Sequence, residues 1–302
     1  MNYPHTVIVI AGPTAVGKTA LAVALAQQFN TSIISADSRQ CFSELSIGVA
    51  RPSVEELSAV HHYFIASHSI HDNVNAGTFE QYALRSAAEI FRHHKVAVIV
   101  GGTGLYMKAF CEGIDNMPAI PAEVRTGIRD AYEKEGLLFL QQELKEKDPD
   151  FWVVAEQQNP QRLMRALEVL YATGSSILHY RTAEKTERPF NIVKIGLELP
   201  REQLVQNINT RTIQMMEQGL LQEAEGLRTF SSLNALQTVG YKELFDCFNG
   251  ASSLPEAVEK IKINTRQYAK RQMTWFKKDS AIQWFHPAAV GEIAAYIQAK
   301  LR

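Results

Sequence analysis

Two hydrophobic periods alternate along this chain of 302 residues. Residues 6–11 (TVIVIA) form an unbroken apolar, β-branched run that ends at Gly12-Pro13, which predicts a strand buried on both faces of a parallel sheet. Residues 20–29 then have helical composition. The strand signal recurs at 32–35 (SIIS) and 96–100 (VAVIV), each followed by a turn and a helical stretch, so residues 1–112 read as β-α units. The pattern changes over 113–190. Pro118 and Pro121 punctuate the chain, 122–147 is charged and helical, and Asn159-Pro160 cap and open a helix that runs to about residue 172, with Gly174 as its stop. Strand-like residues 192–199 (IVKIGLEL) return the chain to the sheet, and 201–278 is a long helical region. The predicted fold class is α/β: a parallel sheet core flanked by helices, built from 1–112 and 191–302, with an inserted all-helical unit at 113–190.

Composition narrows this picture. With 46% hydrophobic and 21% charged residues, 17 Gly and 11 Pro, the chain is neither disordered, collagenous nor coiled-coil. Cys41, Cys111 and Cys247 are odd in number and widely spaced, which argues against disulfides and structural zinc. No apolar run approaches the ~18 residues of a membrane span, and the N-terminus lacks a basic region and cleavage site, so a cytoplasmic protein with no membrane partner is expected. No assembly signal is visible, which makes a monomer the expectation. The 31 Lys+Arg against 32 Asp+Glu give a formal charge of -1, yet residues 260–278 hold seven basic residues and no acid. The other 283 positions therefore sum to -8, and the basic charge is segregated. Lys262, Arg266 and Lys270 recur at i,i+4 on one face, while Ile261, Tyr268 and Trp275 recur every seven residues on another, as core contacts. Such a stripe suits tracking of an RNA backbone.

Residues 12–19 read GPTAVGKT and match G-x-x-x-x-G-K-[ST], directly after a strand and opening a helix. In that context Gly12, Pro13, Thr14, Ala15, Val16, Gly17, Lys18 and Thr19 form a phosphate-binding loop, a P-loop NTPase-like core. Its backbone amides converge on phosphate oxygens, Lys18 supplies a point charge, and the Thr19 hydroxyl is a ligand for Mg²⁺. The strand at 96–100 ends in Gly101-Gly102-Thr103-Gly104 without the acid that an ATPase or kinase of this class places there. The acid follows the second strand instead, in Ser35-Ala36-Asp37-Ser38-Arg39-Gln40, where Asp37 either faces the loop or caps a following helix.

Six ordered segments, GPTAVGKT, SADSRQ at 35–40, VGGTGLY at 100–106, QRLMRALEV at 161–169, VGYKE at 239–243 and TRQYAKRQMTWF at 265–276, together resemble bacterial tRNA dimethylallyltransferases, the MiaA family. The likeness spans about residue 5 to residue 280. It implies transfer of a dimethylallyl group from dimethylallyl diphosphate to N6 of the adenosine 3′ of the anticodon, in the tRNA anticodon stem-loop, with release of pyrophosphate and with Mg²⁺ as cofactor. The loop then holds a prenyl diphosphate. The resemblance implies catalytic roles for Asp37, Thr103, Lys18 and Arg211. It also implies tRNA contacts from Asp37, Ser38, Arg39, Gln40, Thr103, Arg125, Gln161, Arg162, Leu163, Met164, Arg165, Gly240, Tyr241, Lys242, Arg266 and Lys270. Cys41, Phe42, Ser46, Val49 and Arg51 depart from the family pattern and lie beside the site, where they bear on fine substrate contacts.

Chemistry gives Asp37 its role. An adenine N6 lone pair is delocalised into the ring, so a base that removes the proton as the C–N bond forms helps, while loop amides, Lys18 and Mg²⁺ stabilise the charge appearing on pyrophosphate. In the insert, Leu163, Ala166, Leu167 and Leu170 share one helix face and leave Gln161, Arg162 and Arg165 off it. Three other readings compete: an adenylate isopentenyltransferase, with little need for the insert or the basic helix; a small-molecule kinase, for which the insert would be a lid; and a non-catalytic RNA-binding NTPase switch, which needs neither Asp37 nor the GGTG turn.

Overall fold

The computed structural model describes residues 3–182 and 184–301. It divides into two compact units, one made of the chain up to residue 113 together with residue 187 onward, the other of residues 114–186.

In the first unit the apolar runs become strands: β1 Thr6–Ala11, followed by helix α1 Lys18–Gln28, then β2 Ile33–Ser35, α2 Val54–Ala59, β3 His62–Tyr63, α3 Ala76–Ile90, β4 Val96–Val100 and α4 Gly104–Glu112. The second unit contributes α5 Ala122–Glu135, α6 Leu137–Lys147, α7 Pro149–Val154 and α8 Pro160–Thr173. Back in the first unit come β5 Asn191–Leu197, α9 Arg201–Glu217, α10 Leu220–Gly226, α11 Tyr241–Phe248, α12 Leu254–Phe276, β6 Gln283–Phe285 and α13 Val290–Leu301. All six strands are parallel, in the order β3-β2-β4-β1-β5-β6. Among the described residues no helix is long and apolar enough to cross a membrane.

The sheet explains why β1 is apolar throughout. Val7, Val9 and Ala11 enter one core with Ile34, Ala97 and Ile99, whereas Ile8 and Ile10 enter the opposite one with Ile33, Val98, Leu21 and Leu25. Burial on both faces leaves Thr6, at its start, as the strand's one polar residue. Chain order reverses around β1: β2 lies beyond β4 on one side, while β5 lies on the other. Open α/β sheets bind ligands at such a switch point, outside the carboxyl ends of the strands.

Several boundaries depart from the sequence reading, each for a local reason. Residues 122–147 are two helices, broken at Gly136 with φ 75. The 201–278 stretch is four helices, interrupted first at Gly219 (φ 102). The segment after β2 is a series of turns up to α2, so no helix follows Asp37. The short strands β3 and β6 carry too few residues to show a period. The chain rejoins the core before residue 191. Arg188, 9% exposed, donates through Nε to the Phe110 carbonyl at 2.7 Å and through a terminal nitrogen to that of Ala109 at 2.7 Å, and it pairs with Glu80. A buried guanidinium thus satisfies carbonyls at the end of α4 that helix geometry leaves open.

Inside the second unit, Ile128, Leu140, Leu144, Phe151, Leu163, Ala166, Leu167 and Val169 form its own core. Asn159 caps α8 through Oδ1, accepting from the Arg162 N–H at 3.3 Å, and Gly174 ends the helix in the left-handed conformation.

Candidate active site

The phosphate loop leads from β1 into α1 with Gly17 at φ 97 and ψ 18, a conformation that admits glycine freely, and Lys18 is the first helical residue. The free N–H groups of the first turn therefore point out of the helix, where an anion binds. Three side chains from later in the chain hold this loop. Arg211 on α9 donates to Thr14 Oγ1 at 3.2 Å, Asn207 Nδ2 donates to the Ala15 carbonyl at 3.1 Å, and Gln272 on α12 accepts from the Thr14 N–H at 2.8 Å. Although Lys18 as a whole is only half-buried, its ammonium turns inward onto the Pro13 carbonyl at 2.7 Å. Burial, and next the neighbouring Arg211 cation, draw its pKa down from 10.5 to about 7, with Asp37 opposing.

Asp37 sits two residues beyond β2. Its Oδ1 accepts from the Arg39 N–H at 2.9 Å and the Gln40 N–H at 3.3 Å, so it caps a tight turn and not a helix. Its Oδ2 makes no hydrogen bond to the described residues. Thr103, just before α4, accepts the Ser38 N–H on Oγ1 at 3.0 Å and bonds to the Ser38 hydroxyl at 3.3 Å, tying the Asp37 turn to the end of β4. Tyr268 on α12 faces the same place. Burial first, and then the Asp37 carboxylate, push its phenol up to about 12.

Two cavities meet here. One, of about 700 Å³, lies over the phosphate loop and is lined by residues 14–20, Ser35, Gln40, Arg51, Gly102 and the polar face of α9. The other, of about 470 Å³, is lined by Ser38, Arg39, Gln237, Gly240, Lys242, Asn264 and Arg271. Thr14, Asp37, Val49, Arg211 and Tyr268 line both. Arg211, which a helix surface alone would explain as a solvated arginine, is instead a half-buried cation lining both chambers; burial lowers its pKa and the Asp37 carboxylate opposes that.

The structure thus brings together Asp37, Thr103, Lys18, Arg211 and the loop, with Ser38, Arg39, Gln40, Gly240 and Lys242 around them. Two expected RNA contacts need correction. Tyr241 is fully buried, its hydroxyl held at 2.6 Å by Glu223, and Leu163 is fully buried in the core of the insert, so neither side chain reaches solvent. Of the other insert positions, Gln161 and Arg162 are exposed, Met164 is half-buried, and Arg165 and Arg125 pair with Glu168 at 3.0 and 3.9 Å. On α12, Lys270 is exposed and Arg266 half-buried, but Lys262 is 15% exposed and bound to Glu259 at 2.6 Å, which shortens the basic stripe. The seven-residue seam divides too: Ile261 is core, Tyr268 lines the cavities, and Trp275 is 38% exposed.

The sequence reading missed the residues that hold the site from behind. Gln272 lies four positions after Tyr268 on the same helix face, which is the signal that could have found it. Glu223 had none: its carboxylate accepts the N–H groups of Ser46, Ile47 and Gly48 at 3.1, 2.9 and 2.9 Å together with the Tyr241 hydroxyl, from far away in sequence. Of the departures from the family pattern, Cys41 and Phe42 are buried, Ser46 meets Glu223 through its backbone, Val49 lines both cavities, and Arg51 donates to the Phe42 and Ser43 carbonyls at 2.8 and 3.1 Å.

A parallel sheet with a glycine-hinged anion loop at its switch point, two half-buried cations beside that loop and a carboxylate lining two chambers define an α/β protein of the phosphate-loop class. Comparison with known proteins specifies it further. The chain belongs to the IPP transferase family, whose profile matches residues 40–279. It is 47% identical over 293 residues to tRNA dimethylallyltransferase 1 of Bacteroides thetaiotaomicron, covering 97% of this chain and 95% of that protein. It is also 47% identical to a tRNA dimethylallyltransferase of Cytophaga hutchinsonii, over 98% of this chain and 97% of that one. Among solved structures, a tRNA isopentenylpyrophosphate transferase from Bacillus halodurans aligns with TM-score 0.73 at 33% identity, covering 98% of this chain and 97% of its own. A eukaryotic dimethylallyltransferase acting on tRNA aligns with TM-score 0.73 at 28% identity, over 90% and 69%.

Proposed function

We propose that this chain transfers the dimethylallyl group of dimethylallyl diphosphate to the exocyclic N6 of the adenosine 3′ of the anticodon in tRNA, releasing pyrophosphate. The observation that carries this reading is the meeting of two chambers at Asp37. The chamber over the phosphate loop takes the donor. The chamber lined by Arg39, Lys242 and Arg271 takes the acceptor base, and Asp37 belongs to both. The loop amides of residues 15–18, Lys18 and Arg211 neutralise charge on the leaving diphosphate as the allylic C–O bond breaks. Asp37 holds its turn with Oδ1 and takes the N6 proton as the new C–N bond forms.

Thr19 lines the donor chamber, and among the described residues no cluster of three or more His, Cys, Asp or Glu side chains is available to cage a metal. That donor set fits Mg²⁺, which takes its remaining oxygens from diphosphate and water. Bound there, Mg²⁺ supplies further positive charge to the leaving group. On the acceptor side the adenine leaves the anticodon-loop stack, at a cost of a few kcal/mol, and Ser38, Arg39, Gly240 and Lys242 surround it, with Gln40 lining the donor side. Arg266 and Lys270 on α12, and Arg125, Gln161, Arg162, Met164 and Arg165 in the insert, contact the RNA. The enzyme acts as a monomer in the cytoplasm.

The test supplies labelled dimethylallyl diphosphate or ATP together with bulk tRNA or AMP. Label in tRNA, recovered after digestion as N6-prenylated adenosine, is the expected result. Label in AMP and none in tRNA overturns the reading in favour of a nucleotide prenyltransferase, and phosphoryl transfer from ATP overturns it in favour of a kinase.

A further inference from the structure

Gln272 is 6% exposed in the middle of α12, it lines the donor chamber and not the acceptor chamber, and both polar ends of its amide are engaged. Oε1 accepts the Thr14 N–H at 2.8 Å and Nε2 donates to the Gly102 carbonyl at 2.9 Å. These two backbone groups belong to loops leaving adjacent strands: the phosphate loop after β1 and the turn after β4 that carries Thr103. The fit is tight on the second side, because a Cβ on Gly102 would lie 2.1 Å from Nε2. Thr14 is gripped twice, its N–H by Gln272 and its hydroxyl by Arg211. Thr103 in turn accepts the Ser38 N–H next to Asp37. One amide therefore fixes the spacing between the loop that holds the leaving group and the turn that holds the base.

We infer that Gln272 is a positioning residue for group transfer: its amide sets the register of the donor loop against the Asp37–Thr103 turn, from the same helix that presents Lys270 and Arg271 outward. The inference rests on the proposed transferase reading. Its chemical requirement is one acceptor and one donor in fixed places, which a neutral amide provides and a carboxylate provides only when protonated.

Three measurements test it. Gln272→Met keeps the volume and removes both hydrogen bonds. The single-turnover rate of prenyl transfer to tRNA should fall roughly 10–100-fold, as expected for a misplacement near 1 Å. The Kd for inorganic pyrophosphate should stay within about threefold, because the amides of residues 15–18 remain. Gln272→Glu is the sharper probe. Ionised, it accepts from Thr14 but repels the Gly102 carbonyl; protonated, it restores both bonds. Lys18, Asp37, Arg211 and Tyr268 line the same chamber in both proteins, so the readout is the wild-type to variant rate ratio at each pH. That ratio should shrink as pH falls into the carboxylic-acid range, a response that mere loss of stability does not give. Should the Met variant fail to fold, the Glu ratio decides alone. A Met variant within threefold of the wild-type rate, or a Glu ratio independent of pH, overturns the inference while leaving the proposed reaction standing. A wild type that transfers nothing to tRNA overturns both.

Discussion

In the proposed reaction Asp37 has two tasks for one carboxylate, and its hydrogen bonds suggest how to separate them. Oδ1 caps the turn through the N–H groups of Arg39 and Gln40, and the residue lines both chambers. Asp37→Asn retains an Oδ1 acceptor in the same place, so the turn and its bonds from the Arg39 and Gln40 N–H groups persist, and only the ability to take a proton is lost. Asp37→Ala loses both. Removing a general base lowers turnover about 10²–10⁴-fold, or about 2.7–5.4 kcal/mol on the barrier. The Asn variant should show that whole loss with an unchanged unfolding midpoint and unchanged donor affinity. The Ala variant should add the loss of two hydrogen bonds at a half-buried site, about 1–2 kcal/mol, which lowers the midpoint by a few degrees. The assay is rapid-quench single-turnover transfer to tRNA, with thermal unfolding and donor binding on the same preparations. If the Asp37→Asn enzyme turns over within about threefold of wild type while the Asp37→Ala enzyme is impaired, the carboxylate acts through the turn and the base assignment fails.

Lys18 makes donor binding proton-linked. With its pKa near 7 in the free site and raised by a bound anion, pyrophosphate binding at pH 8 should take up close to one proton, read by calorimetry in buffers of different ionisation enthalpy and absent in Lys18→Met. The linkage sign follows: the unfolded chain keeps this proton up to about 10.5 and the folded chain only to about 7, so the penalty is complete below 7. Wild-type stability relative to Lys18→Met should therefore rise as pH climbs through that window; a flat difference refutes the inward ammonium. Glu223→Ala strips the acceptor from three backbone N–H groups and the Tyr241 hydroxyl, and should cost about 3 kcal/mol in urea unfolding, with Glu223→Gln intermediate. In a salt titration of tRNA binding, Lys270→Ala should reduce the log–log slope by about 0.7–0.9, whereas Lys262→Ala, already neutralised by Glu259, should leave it unchanged. Equal slopes for the two variants would remove the distinction drawn from the Glu259 pair.

What was legible in the sequence is what local chemistry decides. β1 and β4 run as the apolar stretches predict, because burial on both faces demands a continuous run, and the glycines and lysine of the loop carry their geometry in their identities. Asn159, Pro160 and Gly174 likewise bracket α8 as caps do. Contacts between distant segments were not legible. Arg211 looks like a surface residue until α9 is laid along the loop. Gln272 and Glu223 matter only because three chain segments meet at each. Tyr241 and Leu163 sit inside recognisable motifs yet are fully buried, since a motif marks which residues stay together and not which way each side chain turns. The basic stripe was legible as charge but not as free charge, because Glu259 lies one residue before the segment that was counted.

The missing acid at the end of β4 has a packing cause. A Cβ on Gly101 would stand 2.2 Å from the Ala36 carbonyl oxygen, and one on Gly102 would stand 2.1 Å from Gln272 Nε2. No side chain fits at Gly101 while the ends of β2 and β4 approach so closely, and one at Gly102 would have to push the Gln272 amide aside. That same approach is sealed by the Ala36 N–H, which donates to the Val100 carbonyl at 2.7 Å, and it sets Asp37, the next residue along, at the boundary of both chambers. The carboxylate is thus displaced from the strand beside the phosphate loop to its neighbour. There, in the proposed reaction, it meets a nucleophile arriving from the far chamber instead of organising water on a phosphate. Gly101→Asp should accordingly not convert the site into an ATPase. It should force β2 and β4 apart, lowering the unfolding midpoint and abolishing prenyl transfer together, and a folded Gly101→Asp protein that hydrolyses ATP would refute this account of why the acid moved.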